Sequence, residues 1–134
     1  MIVVDTNVIA YFMIAGPQSP FAEHVWEKDD QWASPRLWRS EMRNLLALYV
    51  RQKTFDLEEA KVYMSDAEVL LSGREFEVDS ADVLDLASKS GCTSYDCEFV
   101  SVAQRLAVPL VSADRKVLAA FPSIAISMAD FIAS

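Results

Sequence analysis

The chain has 134 residues, of which 52% are hydrophobic and only three are glycine, so we expect one globular domain over residues 1–134 and exclude a disordered chain. The formal net charge of −8 argues against passive electrostatic binding of nucleic acid. It leaves open an enzyme that reaches phosphates through a divalent metal ion, because such an ion needs carboxylates.

The sequence also predicts the cellular compartment of the protein. No stretch is apolar and long enough to predict a membrane span, and the N-terminus lacks the basic region of a signal peptide. The two cysteines, Cys92 and Cys97, do not make a disulfide framework. We therefore expect a protein of the reducing cytoplasm, with both cysteines in packing roles.

The first quarter of the chain predicts two strands separated by helices. An apolar run indicates a strand over 2–5, and a short helix over 7–14 follows it. Ser19 and Pro20 supply an N-cap and a first-turn proline for a helix that reaches about residue 29. A short strand over 32–34 comes next.

The middle of the chain predicts two longer helices. The same Ser-Pro signal opens a helix over 35–53. Asp56 and Glu59 then form a capping box for a helix that Gly73 ends. A strand over 76–78 follows.

The remainder alternates in the same way. A helix from Asp79 or Ser80 ends at Gly91, and Thr93 or Ser94 begins another helix, which ends near residue 107. The last predicted elements are a strand over 108–112, a helix over 115–120, a strand over 124–126 and a helix over 128–132. Strands that alternate with helices predict an α/β fold with a parallel sheet covered on both faces.

Two acidic residues directly follow predicted strands. Asp5 comes after the first apolar run, and Asp114 lies just beyond the strand over 108–112. The carboxyl ends of parallel strands meet at one edge of a sheet, which is where ligands bind in open α/β folds. Each residue could instead be the N-cap of the next helix, and the two roles are compatible.

Two further acids lie on apolar stripes of helices. Glu41 shares its stripe with three leucines, Leu37, Leu45 and Leu48. Burying a carboxylate costs several kcal/mol unless it is paired or bound to a metal. The alternative for Glu41 is that its side chain reaches solvent or pairs with an arginine. Asp96 begins a stripe that continues through Val100, Ala103 and Ala107. It could equally be an ordinary first-turn acid.

Four carboxylates that meet would repel one another, and a hard divalent cation removes that conflict. Mg²⁺ and Mn²⁺ prefer oxygen ligands, and a bound ion can activate water for attack on a phosphorus atom. We therefore expect catalytic and metal-binding roles for the four acids, Asp5, Glu41, Asp96 and Asp114. The polar neighbours expected to orient ligands or water are Thr6, Asn7, Ser94 and Ser112.

Three segments of the chain resemble PIN-domain ribonucleases, in particular the VapC-like toxins of type II toxin–antitoxin pairs. The segments are VVDTNVIAYF, SPRLWRSEMRNLLALY and GCTSYDCEFVSVAQRLAVPLVSADRKVL. They occur in the family's order and together span essentially the whole chain. The third is the most specific, because it joins Tyr95-Asp96 to Ala113-Asp114-Arg115 in one continuous match.

The resemblance implies a three-layer α/β/α fold with a central parallel sheet, and it places the family's acids at the same four positions. It also implies Mg²⁺- or Mn²⁺-dependent cleavage of single-stranded regions of RNA, commonly tRNA or ribosomal RNA. A homodimer inhibited by a cognate antitoxin is implied as well. Both partners, RNA and antitoxin, are expectations from the resemblance alone.

Other enzyme chemistries lack their residues. His24 is the only histidine and lies beside acids on a predicted surface helix, so Cys–His catalysis by Cys97 has no partner. No nucleophile elbow, phosphate loop or dinucleotide turn is present. A phosphatase of the haloacid-dehalogenase type would need a second aspartate where Asn7 stands, and a receiver domain an aspartate pair after the first strand. A non-catalytic module that binds a partner stays open.

Two residue groups bear on partners. Arg36, Arg39 and Arg43 lie on one stripe opposite Glu41, so we expect either a solvated face or a contact with a partner or RNA. Five aromatic residues exceed what a small core must hold, and part of them are expected on a dimer or antitoxin surface. They are Phe12, Trp26, Trp32, Trp38 and Tyr49.

Overall fold

The computed structural model describes all residues from Met1 to Ser134 and contains five strands and eight helices. The strands are β1 (Ile2–Val4), β2 (Trp32–Pro35), β3 (Glu75–Phe76), β4 (Leu110–Val111) and β5 (Ala125–Ile126). The helices are α1 (Thr6–Met13), α2 (Ser19–Lys28), α3 (Leu37–Arg51), α4 (Leu57–Leu70), α5 (Ser80–Ser90), α6 (Ser94–Leu106), α7 (Arg115–Ala120) and α8 (Met128–Ala133). The predicted elements are all present in the predicted order, with ends that differ by a few residues.

All five strands form one parallel sheet in the order β3-β2-β1-β4-β5. Val3 is paired with Ala33 on one side and Leu110 on the other. The chain runs from β1 outward to β3 and then crosses back to β4 and β5. The direction therefore reverses between β1 and β4, and this switch point is where open α/β sheets form their binding crevice.

Because crossovers between parallel strands are right-handed, the strand order assigns α1 to α4 to one face of the sheet and α5 to α7 to the other. On the first face α3 packs on α4 and α1, and α8 packs on α2. On the second face α5 packs on α6, which crosses β1, β2 and β4. The predicted three-layer α/β/α fold is confirmed. None of the helices is both long and apolar enough to cross a membrane.

The aromatic residues mainly serve the core. Trp32 and Trp38 are fully buried, so neither of these two can belong to the surface expected for part of the aromatic set. Phe12 and Trp26 are half-buried and stack with ring centroids 5.1 Å apart, and each also contacts the ring of Trp32. This cluster joins α1 and α2 to β2. Tyr49 packs edge-on against Phe55.

The buried face of α3 differs from the predicted one. Its most buried residues are Trp38, Met42 and Leu46, whereas Leu48 is 40% exposed. Two apolar stripes lie side by side on this helix, and the one that carries the large tryptophan packs on the sheet. The predicted stripe, which holds Glu41, forms the flank of the helix.

Arg39 occupies neither of its predicted environments. Its Nε and Nη2 donate to Glu75 Oε2 and Oε1 at 2.6 and 2.7 Å, and it also pairs with Glu68. Trp38 Nε1 donates to the same Glu75 carboxylate at 2.9 Å. These bonds lower the pKa of Glu75, with the bond from Arg39 contributing most. The cluster ties α3 to α4 and to the edge strand β3.

Arg36 and Arg43, the other two arginines of the predicted stripe, are exposed. Neither makes an ion pair, so both stay compatible with either predicted role, a solvated face or a contact with a partner or RNA.

Candidate active site at the sheet switch point

A cavity of about 300 Å³ opens at the carboxyl ends of β1 and β4. The structure brings all four predicted acids to its walls, namely Asp5, Glu41, Asp96 and Asp114. Three of the predicted polar neighbours also line it, namely Thr6, Asn7 and Ser112. The strand ends therefore meet as expected for parallel neighbours, and α3 and α6 supply the other two acids.

Asp5 is both a helix cap and a cavity residue. Its Oδ1 accepts a hydrogen bond from Val8 N at 3.0 Å, which caps α1. Its Oδ2 accepts bonds from Ser112 Oγ at 2.7 Å and from Ala113 N at 3.0 Å. The register explains these bonds, because Val4 is aligned with Val111 and the next residues of each strand then face one another.

Ser112 connects the two strand-end acids. It is 1% exposed, and its Oγ accepts a hydrogen bond from Asp114 N at 3.0 Å while donating to Asp5. The Asp114 carboxylate caps α7 by accepting bonds from two backbone N–H groups at 2.8 and 3.3 Å. One buried hydroxyl thus links the Asp5 carboxylate to the backbone of Asp114.

Glu41 is held from α1. Thr6 Oγ1 donates to Glu41 Oε1 at 2.7 Å, and Thr6 is itself buried. Because α1 begins directly after β1, this bond fixes Glu41 relative to Asp5. The expectation that Thr6 orients a candidate ligand agrees with this geometry.

Asp96 has the freest carboxylate of the four. Its backbone N–H is capped by Thr93 Oγ1 at 3.0 Å, but its side chain accepts no hydrogen bond from the protein. Ser94, predicted as an orienting residue here, is exposed and lies outside the cavity lining. The N-cap of α6 is Thr93, one position earlier.

The cavity carries uncompensated negative charge. Burial raises the pKa of Asp5, the charge of Asp114 raises it further, and the bonds from Ser112 and two backbone amides oppose the rise. Burial likewise raises the pKa of Glu41, helped by the charges of Asp96 and Asp5 and opposed by the bond from Thr6. No lysine, arginine or histidine lines the cavity.

Comparison with known proteins identifies the fold family. A model of the PIN domain matches residues 2–123. The chain belongs to the PIN domain family. The resemblance found in the sequence is therefore confirmed at the level of the family. Domains of this family are generally nucleases.

Solved structures similar to this PIN domain share its fold at low sequence identity. PAE2754 from Pyrobaculum aerophilum is 21% identical, with a TM-score of 0.78, over 98% of this chain and 93% of that one. FitAcB from Neisseria gonorrhoeae is 16% identical, with a TM-score of 0.75, over 96% and 98%. FitAB bound to a DNA fragment is 18% identical, with a TM-score of 0.74, over 96% and 95%. No curated protein matches the chain significantly.

The donor set of this PIN domain fits a hydrated hard cation. No three acidic, histidine or cysteine side chains lie close enough to form a ready-made set of metal ligands. Mg²⁺ does not require such a set, because it keeps several of its waters and commonly binds one or two carboxylates. The oxygen-only donors, the unpartnered carboxylate of Asp96 and the raised pKa values agree with that mode of binding.

Sequence reasoning missed part of the cavity wall. Asn44 lies one turn after Glu41 on α3 and lines the cavity beside it. Three apolar residues of the wall, Phe99, Leu110 and Val117, were also missed, whereas Leu45 and Leu48 lie on the predicted stripe of Glu41. Helical spacing from Glu41 could also have found Asn44. Phe99 had the same signal, three residues after Asp96 on α6.

Proposed function

We propose that this PIN domain, over residues 1–134, is a divalent-metal-dependent endoribonuclease that cleaves single-stranded regions of RNA, with tRNA or ribosomal RNA as the expected targets. One observation carries the proposal. Four carboxylates from two strand ends and two helices surround one cavity at the switch point, with no cation of the protein among them. Such a site suits a metal ion and a polyanionic substrate better than it suits any side-chain nucleophile.

The residues that would hold Mg²⁺ or Mn²⁺, directly or through water, are Asp5, Glu41, Asp96 and Asp114. A bound ion supplies Lewis acidity, lowering the pKa of a water and neutralising charge on the scissile phosphate. The chain's own task is to position the donors. Ser112 fixes the Asp5 carboxylate and Thr6 fixes that of Glu41, so neither has to reorganise when an ion binds.

We further propose that the protein acts in the cytoplasm as the toxin of a type II toxin–antitoxin pair, as a homodimer controlled by a cognate antitoxin. The similarity to VapC-like sequences supports this role. The shared fold of FitAcB and of FitAB, the latter bound to a DNA fragment, agrees with it.

Two other functions fit the site less well. A haloacid-dehalogenase-type phosphatase needs a second aspartate and a lysine at the site, but Asn7 stands at the aspartate position and no lysine lines the cavity. A non-catalytic partner-binding module would leave the charge repulsion at Asp5 and Glu41 without a purpose. That module would bind Mn²⁺ weakly and would not arrest growth when expressed.

The decisive experiment compares cleavage of a single-stranded RNA by wild-type protein, Asp96→Asn and Asp66→Asn, each purified free of antitoxin. The Asp96 side chain makes no hydrogen bond to the protein, so Asp96→Asn removes the negative charge of a proposed metal ligand with little effect on folding. Asp66 is an exposed acid on α4 and serves as the matched control.

We expect Asp96→Asn to lose about 100-fold or more in rate, or roughly 2.7 kcal/mol of transition-state stabilisation, and EDTA to stop the wild type. Asp66→Asn should cleave like the wild type. Undiminished cleavage by Asp96→Asn, or by wild type in EDTA, would show that the site assignment is wrong.

A further inference from the structure

A second groove adjoins the acidic cavity and shares Ser112 with it. We call it the Phe21–Arg115 groove, and its volume is about 390 Å³. Its walls come from α1, the start of α2, the loop after β4, α7 and the start of α8. The lining residues used below are Tyr11, Phe21, Ser112, Ala113 and Arg115. A ligand that fills the acidic cavity could therefore continue into this groove without leaving the surface.

The aromatic side of the groove is exposed but held in place. Phe21 lies in the first turn of α2 and is 44% exposed, an unusual position for a large apolar ring. The turn before it is fixed by Ser19, whose Oγ donates to Tyr11 O at 2.7 Å and accepts from Gly16 N at 3.0 Å. The ring is thus presented on a rigid support beside Tyr11.

The lining of the groove also includes a free cation. Arg115 is exposed, makes no ion pair and directly follows Asp114. No acidic residue lines this groove, although the chain has 20 of them. The acidic cavity shows the reverse pattern, with four acids and no cation. The two cavities, which share the buried Ser112, therefore have linings of opposite charge.

We propose that the Phe21–Arg115 groove binds the nucleotide that flanks the scissile phosphate of a single-stranded RNA. The Phe21 ring would stack on the base, and the Arg115 guanidinium would contact the adjoining phosphate. An aromatic platform beside an arginine is the arrangement that sequence-tolerant proteins use for single strands. This inference rests on the proposed nuclease function, because the RNA substrate of that nuclease is the single strand that would occupy both cavities.

The test measures binding of a fluorescein-labelled 12-nucleotide single-stranded RNA in Mg²⁺. All variants carry Asp96→Asn so that cleavage does not consume the probe. Arg115→Gln and Phe21→Ala remove the two proposed contacts. Lys116→Gln is the matched control for charge, because Lys116 is the next residue along and its side chain is exposed outside both cavities. Leu84→Ala, at an exposed apolar residue on α5 outside both cavities, is the control for the ring.

We expect Phe21→Ala to raise the Kd about fivefold or more, the effect of losing one base–aromatic stack. Arg115→Gln should raise the Kd similarly at low salt. It should also reduce the slope of log Kd against log salt by about 0.7, the value for one phosphate contact on a single strand. Phe21→Ala should leave that slope unchanged, and both controls should stay within twofold of the parent.

The outcomes separate this proposal from the nuclease proposal. If the parent binds the probe but Arg115→Gln behaves like Lys116→Gln and Phe21→Ala like Leu84→Ala, the groove does not bind RNA although the nuclease assignment stands. If Arg115 and Phe21 prove to bind a protein partner and not the probe, the groove proposal is likewise overturned. Absence of both cleavage by the wild type and binding by the parent would instead overturn the function on which the groove proposal rests.

Discussion

Ser112→Ala should uncouple the two strand-end acids, because one buried hydroxyl bonds to both. Ser112 Oγ donates to Asp5 Oδ2 at 2.7 Å and accepts from Asp114 N at 3.0 Å. The variant removes a hydrogen bond to a carboxylate, which typically contributes about 1.5–3 kcal/mol, and leaves the Asp114 amide without its partner. Water entering from the open cavity offsets part of the loss.

We therefore expect Ser112→Ala to lower the free energy of unfolding by about 2 kcal/mol, and the Tm by roughly 8 °C for a domain of this size. Urea denaturation in EDTA at pH 7 measures the change. Ser101→Ala is the matched control, because Ser101 is also a buried serine but does not line the acidic cavity. It should change the free energy by less than about 1 kcal/mol.

The decrease in unfolding free energy caused by Ser112→Ala should also depend on pH in a defined direction. The bond from Ser112 opposes the rise in the pKa of Asp5, so its removal raises that pKa further above the ordinary value of 3.8. A carboxyl group whose pKa is raised in the folded state is protonated there at a higher pH than in the unfolded state. Its protonation therefore increases the free energy of unfolding as the pH falls. The deficit of Ser112→Ala should therefore be greatest near neutral pH and shrink on acidification. Equal unfolding free energies for Ser112→Ala and Ser101→Ala would refute the reasoning.

Two further predictions concern other carboxylates. Because the folded pKa of Glu41 is raised above 4.5, ionised Glu41 destabilises the metal-free fold increasingly as the pH rises through that range; Glu41→Gln should therefore raise the Tm in EDTA at pH 7 and weaken stabilisation by Mn²⁺, and a lower Tm would contradict this. Glu75→Gln should cost about 2 kcal/mol in urea denaturation at pH 7, and since the pKa of Glu75 is lowered from 4.5, the loss should vanish at lower pH. The exposed Glu58, paired with Lys61, provides the control, and Glu58→Gln should have almost no effect.

The positions of the strand-end acids were predictable from local sequence. A buried apolar run fixes the direction and the end of β1, and the alternation of elements predicts a parallel sheet. Those two facts bring Asp5 and Asp114 to one edge without knowledge of any contact. Asp5 also caps α1, so the two alternatives weighed for it describe a single side chain.

The environment of α3 was only partly predictable. The periodicity located Glu41 on a face that meets other elements, but two apolar stripes of similar strength lie on this helix. Trp38 decides which stripe packs on the sheet, and that choice depends on the shape of the opposing surface. The partners of Arg39 lie 29 and 36 residues farther along the chain, at Glu68 and Glu75. No local pattern identifies such a pair.

The two cavities were also only partly predictable from the sequence. Spacing predicted the acids, but the groove beside them depends on how the start of α2 approaches the loop after β4. Neither the exposure of Phe21 nor the free guanidinium of Arg115 follows from the residues around them in the sequence. Ser94 does not line the acidic cavity, and Thr93, one residue earlier, is the N-cap of α6.

Anomalous diffraction from crystals grown in Mn²⁺ tests the central claim most directly, because it locates the ion without any assay of activity. We expect a Mn²⁺ peak inside the cavity at the ends of β1 and β4. The peak should lie about 2.0–2.3 Å from a carboxylate oxygen of one or two of the four acids, with water completing the octahedron. A saturating Mn²⁺ concentration that leaves this cavity without a peak, or places the ion only elsewhere on the surface, would contradict it.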